Sequence, residues 1–424
     1  MDLPKKPVDR ILDPLQRFLH IQAASGVLLL VVTAAALAAA NSASASGFLA
    51  FWETQVGIRA GGFVLEHSLR HWVNDALMAI FFFVIGLEVK RELVEGELRD
   101  LRAAALPLAA AIGGMLAPAA IYLVLQWGEP GEAGWGIPMA TDIAFVVGCL
   151  AVLGRRVPSG LRVMLVSVAI ADDIGAILVI AIGYTEALDW TALGFGALGI
   201  AAVVALARLG VRSVPVYVVM GVFVWYAFHA SGVHATIAGV ILGWLTPIQP
   251  WVDRERLAAI LSEQGAGRGH ARTLEIAARE SVSPLDRLES LLHPWVAFGI
   301  MPLFALANAG VELTPSSFGD PVALAAGAGL VVGKPIGVLL FAWLAVRARL
   351  AQLPRGVGWG AVAAGGALAG IGFTMSLFIA GLALPDDLLE AAKVGILGAS
   401  ALSAAIGMTA LRLQRAPIEP AGAA

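Results

Sequence analysis

The sequence predicts an all-α polytopic membrane protein with twelve transmembrane helices. Three observations carry that reading. First, 59% of the 424 residues are apolar and only 14% are charged, against roughly a quarter in soluble domains. Second, the mean hydropathy is +0.83, too apolar for a soluble surface. Third, continuous apolar runs of about 20 residues, the length that crosses a bilayer, recur along the chain. A transmembrane β-barrel is excluded, because its strands alternate polar and apolar residues. The single cysteine, Cys149, excludes a disulfide framework, cysteine-ligated zinc and iron–sulfur clusters.

The apolar segments lie at 21–40, 72–88, 103–126, 134–153, 159–184, 190–207, 213–230, 233–248, 291–311, 321–346, 357–384 and 389–411. Basic residues test the count, because cytoplasmic loops are enriched in them. Lys5, Lys6, Arg10 and Arg17 precede the first span. Alternate loops then carry Lys90, Arg91, Arg99 and Arg102; Arg155, Arg156 and Arg162; Arg208 and Arg212; Arg347, Arg349 and Arg355. Six arginines fall in 249–290, and Arg412 and Arg415 close the series. Of 28 basic residues, the opposite loops hold only Arg59 and Arg70. They carry Glu129, Glu132, Glu186, Asp189, Glu312, Asp320, Asp386 and Asp387 instead. Both termini are therefore expected in the cytoplasm.

The first span has a basic lead-in and an Ala/Ser-rich exit, yet its apolar core exceeds the usual 7–15 residues of a signal peptide, so cleavage is not expected. Residues 41–71 form an external or periplasmic loop long enough for a small hairpin or a partner contact. The cytoplasmic 249–290 loop contains Gly265, Gly267 and Gly269 and two candidate short helices, Leu274–Arg279 and Leu285–Leu292. Residues 1–424 read as one membrane transport domain. No basic stripe interleaved with aromatics suggests nucleic acid.

Four ionisable residues fall near the middle of spans: Asp142, Asp172, Asp173 and Lys334. Asp75 lies nearer one end. An acid at the bilayer centre costs about 2.5–3.5 kcal/mol on insertion scales. Two adjacent carboxylates in apolar surroundings cannot both stay ionised without a counter-charge. Such a pair accepts protons near neutral pH or ligates a small hard cation. A buried structural ion pair with Lys334 is the plainer reading, but three acids and one base leave surplus negative charge.

Pro138-Met139-Ala140-Thr141-Asp142 reads as a helix interrupted at mid-membrane, with Thr141-Asp142 placed to cap its restart. Such a break must be buried or line a cavity. Gly370-Ile371-Gly372-Phe373-Thr374 is a second candidate, again with a threonine placed to cap the restart. Thr141 and Phe145 share their spacing with Thr374 and Phe378. The two breaks fall in the middle spans, four and eleven, of units 103–184 and 321–411, which the topology gives opposite orientation. Interrupted helices in inverted repeats point to a secondary transporter with a mid-membrane site. If the breaks cross, like helix-end charges meet. Asp142 then offsets the positive N-terminal ends, and Lys334 the negative C-terminal ends.

Several motifs together resemble the NhaA family of bacterial Na+/H+ antiporters. They are Asn74-Asp75-Ala76-Leu77-Met78-Ala79, Gly86-Leu87-Glu88-Val89-Lys90-Arg91-Glu92-Leu93, Ala140-Thr141-Asp142-Ile143-Ala144-Phe145, Ala171-Asp172-Asp173-Ile174-Gly175, Gly232-Val233-His234-Ala235-Thr236-Ile237-Ala238-Gly239 and Gly333-Lys334-Pro335-Ile336-Gly337. His293-Pro294-Trp295-Val296 and Phe304-Ala305-Leu306-Ala307-Asn308-Ala309-Gly310 fit as well, so the likeness spans about residues 10 to 411. The resemblance implies electrogenic, pH-regulated exchange of two protons for one Na+ or Li+ across a bacterial inner membrane. It implies a cation and proton site at Asp172 and Asp173, supported by Thr141, Asp142, Lys334 and Asp75. It places pH regulation on Glu88, Arg91, Glu92, His234 and Glu289. It also implies a homodimer through a hairpin within 41–71. No cofactor is expected; the ions are cargo.

The bland readings are a solvated helix end for Glu88, Arg91 and Glu92, a structural role for His234, and simple packing for His229. Other classes fit less well. An intramembrane aspartyl protease would need a second, facing acid motif of the Gly-x-Gly-Asp type. A P-loop fails at Ala328 and at Pro335. A sodium-coupled organic-anion symporter of related fold is the alternative, but it would need more polar lining. A titrating central site suits alternating access better than a channel.

Overall fold

The computed structural model describes residues 22–61, 63–185, 188–211, 213–262 and 268–414. Lys5, Lys6, Arg10, Arg17, Glu186, Arg212, Gly265, Gly267 and Arg415 lie outside the described residues.

In chain order, α1 (Gln22–Ala40) and α2 (Ala45–Trp52) precede a hairpin of β1 (Gln55–Ala60) and β2 (Phe63–Ser68). Then come α3 (Leu69–Trp72), a π-helical turn at Val73–Leu77, α4 (Met78–Val94) and α5 (Leu101–Gln126). A 3-10 segment, Glu132–Met139, leads to α6 (Ile143–Leu153), followed by α7 (Ser159–Gly183), α8 (Trp190–Arg208), α9 (Val214–Ser231) and α10 (Thr236–Leu245). Next are α11 (Arg254–Ser262), α12 (Arg268–Glu280) and α13 (Pro284–Trp295), a π turn at Val296–Ile300, α14 (Met301–Asn308) and α15 (Pro315–Phe318). The chain closes with α16 (Pro321–Ala328), a π turn at Gly329–Gly333, α17 (Lys334–Arg347), α18 (Trp359–Ala369), α19 (Phe373–Ala383) and α20 (Asp386–Leu413).

Among the described residues, nine helices are long and apolar enough to cross a membrane, or up to eleven if each of two bent pairs counts as one span. The expected span at 233–248 is a helix of only 10 residues, α10. At 1.5 Å per residue that is about 15 Å, half the hydrocarbon thickness. The expected span at 21–40 is followed at once by α2, bent against it by 116°.

The 41–71 segment holds α2 and the antiparallel hairpin, in which Gln55 pairs with Ser68 and Ala60 with Phe63. The 249–290 segment departs from expectation. Leu274–Arg279 is the end of a 13-residue helix, α12. Leu285–Leu292 lies inside α13, which runs on into the span 284–308. The reason is local. Ser283 caps α13 by accepting from Asp286 N at 3.0 Å, and Pro284 occupies its first turn.

The chain divides into two compact units. The first comprises residues 1–75, 97–185 and 297–424. Its closest pairing is α5 on α17, where two glycines let the backbones touch. A Cβ on Gly113 would fall 2.2 Å from Gly337 O, and one on Gly337 would fall 2.0 Å from Gly113 O. α20 packs on α16 and α18, and α1 on α6 and α14. The second unit comprises residues 76–96 and 186–296. In it α4 packs on α10 and α8 on α9, around a core of Val224, Phe228 and Ala238.

Candidate functional site: two helix breaks around a buried charge cluster

Both expected interruptions are present in the first unit. The 3-10 segment ends at Met139, and Ala140 to Asp142 run extended, with Ala140 at φ −85°, ψ 148°. Pro138 contributes no N–H to a helical ladder. Asp142 then caps α6, its Oδ1 accepting from Phe145 N at 3.2 Å. In the second interruption α18 stops at Ala369, and α19 restarts at Phe373 with a bend of 47°. Here the threonine departs from expectation. Thr374 is not the N-cap; Gly372 is, and it has no side-chain oxygen to offer. A Cβ at Gly372 would sit 2.2 Å from Ser376 Oγ and 2.8 Å from Leu330 Cδ2, so glycine leaves these two side chains undisturbed.

The two breaks are laced together. Asp142 N donates to Ile371 O at 2.7 Å, and Ser376 Oγ donates to Ile137 O at 2.7 Å. Thr374 donates to Asp142 Oδ2 twice, through N at 3.1 Å and through its hydroxyl. Asp142 thus receives the N-terminal N–H groups of both α6 and α19, where each helix carries partial positive charge. The opposite ends also find donors. Lys334 Nζ donates to Met139 O, and Thr141 Oγ1 donates to Ala369 O at 2.9 Å. Phe145 and Phe373 close the contact edge to face, 5.1 Å apart. All of Thr141, Asp142 and Thr374 are buried, as a break in a membrane requires.

Asp172 and Asp173 lie buried on α7. Lys334, the first residue of α17 after the π turn, brings its ammonium 2.7 Å from Asp172 Oδ2, with both side chains 0% exposed. The lysine stem passes Gly114 on α5, where a Cβ would be in ordinary contact with Lys334 Cε at 3.6 Å. Thr141 Oγ1 is also 2.7 Å from Asp172 Oδ2. Its hydroxyl has one proton and two acceptors within reach, Asp172 and Ala369 O. Asp172 Oδ1, buried, accepts no hydrogen bond from the described residues. Consecutive helical residues point about 100° apart, so Asp173 presents its carboxylate in a different direction from Asp172.

Asp75 is buried within the π turn 73–77, and π turns recur at functional positions. Beside it Asn74 and Asn308 exchange amide hydrogen bonds of 3.0 and 2.7 Å.

The residues expected to regulate the protein lie in the second unit, and three of them are brought together. Arg91 Nη1 is 2.5 Å from Glu289 Oε1. Glu88 Oε1 is 3.7 Å from His293 Nδ1. Lys90 Nζ donates to Thr246 O at 2.6 Å. His234 sits at the start of α10, its Nδ1 2.7 Å from Thr236 Oγ1. Glu92 lies against Gly96, near the end of α4. His229 stacks on Trp225.

The sequence reading missed Ser376, Ser400, Asn308, His293 and the buried Lys393 as interacting polar groups. The signal was a lone hydroxyl, amide or ammonium in an otherwise apolar helix. For His293 it was the i, i+4 spacing from Glu289.

Buried charges gathered between two interrupted helices of a polytopic helical protein define the class of membrane ion transporters. The sequence profile of the Na+/H+ antiporter 1 family matches residues 16–411. A Rhizobium meliloti protein named Na+/H+ antiporter NhaA is 55% identical, with 98% of each chain covered. A Rhodopirellula baltica protein of the same name is 56% identical over 96% of each chain. Na+/H+ antiporter NhaA 2 of Vibrio vulnificus is 50% identical over 97% of this chain and 94% of its own. The chain belongs to the Na+/H+ antiporter 1 family.

Proposed function

We propose that this chain exchanges cytoplasmic Na+ or Li+ for external H+ across a bacterial inner membrane, with two protons moved per cation and with regulation by pH. The names its relatives carry over nearly their full length support the exchange. The observation that carries the reading is buried Asp172 against the Lys334 ammonium, followed in the helix by buried Asp173, with Asp172 Oδ1 accepting no hydrogen bond from the described residues. An oxygen left in that state in a buried site is suited to a bare cation or a proton.

In the proposed cycle the inward-facing pair releases protons and takes up the cation on Asp172 and Asp173. The bundle of interrupted helices rocks, the cation leaves outside, and protons return. Moving a net charge couples the cycle to voltage, at about 2.3 kcal/mol per charge per 100 mV. Thr141 links the site to the break. With Asp172 ionised, the Thr141 proton serves Asp172 Oδ2. With Asp172 protonated, Asp172 donates to Thr141, whose hydroxyl donates its hydrogen bond to Ala369 O. The hydrogen bonding of the α18 terminus then follows the protonation of the site.

The same reading takes twelve spans with both termini cytoplasmic, 103–184 and 321–411 as inverted repeats, and 1–424 as one transport domain. It takes the hairpin within 41–71 as the contact of a homodimer in the lipid bilayer, and Asp75 as support for transport. It assigns pH regulation to Glu88, Arg91, Glu92, His234 and Glu289. The Arg91–Glu289 and Glu88–His293 pairs support that assignment, since they bring acidic and basic groups together around residues it names.

The test is dequenching of a pH dye in inside-out vesicles on addition of Na+, Li+ or K+. Wild type should respond to Na+ and Li+, and Asp173→Asn should not. Silence of folded wild type across pH 6.5–9 would overturn antiport and bring forward the organic-anion symporter.

A further inference from the structure

Helix α19 begins without a side-chain cap of its own, because its N-cap residue is Gly372. Its first two N–H groups are buried and need acceptors. Thr374 N finds Asp142 Oδ2. Phe373 N finds Ser400 Oγ, 3.1 Å away on α20, and Ser400 is buried. One turn on, Ser403 is buried on the same helix, and its hydroxyl makes no hydrogen bond to the described residues. A Cβ on Gly370 would fall 2.8 Å from Ser403 Oγ, so both serines lie along the break.

We infer that Ser400 is a positioning residue for the cation site, acting as the cap that α19 lacks; this rests on the exchange proposed above. The hydrogen bond of Ser400 goes to the backbone of the break and not to Asp172 or Asp142. It holds Phe373, the residue that ends the break. The break in turn offers Ala369 O to Thr141 and Ile371 O to Asp142 N. Thr141 is the group hydrogen-bonded to Asp172. Loss of the Ser400 hydroxyl leaves a buried N–H without an acceptor and frees the 370–373 segment. The two carbonyls then no longer fix Thr141 and Asp142, and Asp172 loses a partner at a defined distance. Ser403, whose hydroxyl bonds to none of the described residues, has no such reach.

The experiment is Na+-driven dye dequenching in inside-out vesicles, with KM and maximal rate measured separately for wild type and serine variants. Ser400→Ala should raise KM for Na+ roughly three- to tenfold, the size expected from one net hydrogen bond. Ser400→Thr should restore it, and Ser403→Ala should leave it at the wild-type value. A purely structural role would lower the amount of active protein and the maximal rate, with KM unmoved. Should Ser400→Ala not reach the membrane, Ser400→Cys, of nearly equal volume and a poorer acceptor, decides by the same KM shift. Unchanged KM in these variants, or an equal rise in Ser403→Ala, overturns the inference. A wild type with no Na+ response overturns the exchange reading instead.

Discussion

The chain pairs charges in two different ways. In the first unit Lys334 and Asp172 meet 2.7 Å apart with both side chains fully enclosed. In the second, Arg91 and Glu289 meet at 2.5 Å with the arginine side chain 43% exposed and the glutamate 12%. The separations are similar, but the surroundings differ. Water reaches Arg91 and partly screens the pair, so the pair contributes less to stability than a fully enclosed one. Nothing solvates Asp172 if Lys334 is removed, and a buried charge without a partner is strongly destabilising. The enclosed partners therefore depend on each other, whereas the pair with the more exposed arginine can open at smaller cost. An ion site needs the first kind of pairing, and a pH-responsive switch needs the second.

The largest effect should come from the enclosed cluster. Asp172→Asn or Asp173→Asn should abolish Na+-driven dequenching in vesicles while protein remains in the membrane, shown by immunoblot. Retained exchange in both would place the site elsewhere.

Next, Lys334→Ala should lower stability by about 3–5 kcal/mol, read by thermal unfolding in detergent. The double variant Asp172→Asn with Lys334→Gln should recover most of that stability and none of the transport. If the double variant is as unstable as the single one, packing around Lys334 matters more than its charge.

A smaller effect is expected at the junction of the breaks. Thr374→Val removes one hydrogen bond to Asp142 and should cost about 1 kcal/mol, slowing exchange several-fold. A wild-type rate would mean that the backbone bonds alone hold the two breaks.

The smallest stability change should follow Glu289→Ala, about 0–1 kcal/mol, because it leaves an arginine that water reaches. The readout that sharpens the contrast is the pH profile. The pH of half-maximal exchange should move while the maximal rate is kept. A collapse in stability instead would show that the fold depends on this pair as heavily as on the enclosed one.

Much of this was legible in the order of residues. An acid in an apolar run carries a cost visible in any context, so Asp142, Asp172, Asp173 and Lys334 stand out without a structure. Pro138 and the Gly370–Gly372 stretch are local breaks of helical bonding, and both breaks appeared where local chemistry puts them. Two features were not legible. Thr374 read as a cap, but the space around Gly372 is set by Leu330 and Ser376, and only packing reveals that. Ser400 looked like one serine in an apolar helix, because its acceptor role depends on a neighbour 27 residues away.

By itself, then, the sequence determined the membrane class, the helical runs, the places where helices cannot continue and the few charges that burial makes expensive. Those follow from short-range rules of length, hydrogen bonding and desolvation. Only the tertiary structure decided which charge meets which. It gave Asp142 the ends of two helices, Asp172 the ammonium of Lys334, and Phe373 the hydroxyl of Ser400. Such pairings join residues far apart in the chain, and they are fixed by how closely glycine-bearing backbones approach, a property of the packed whole.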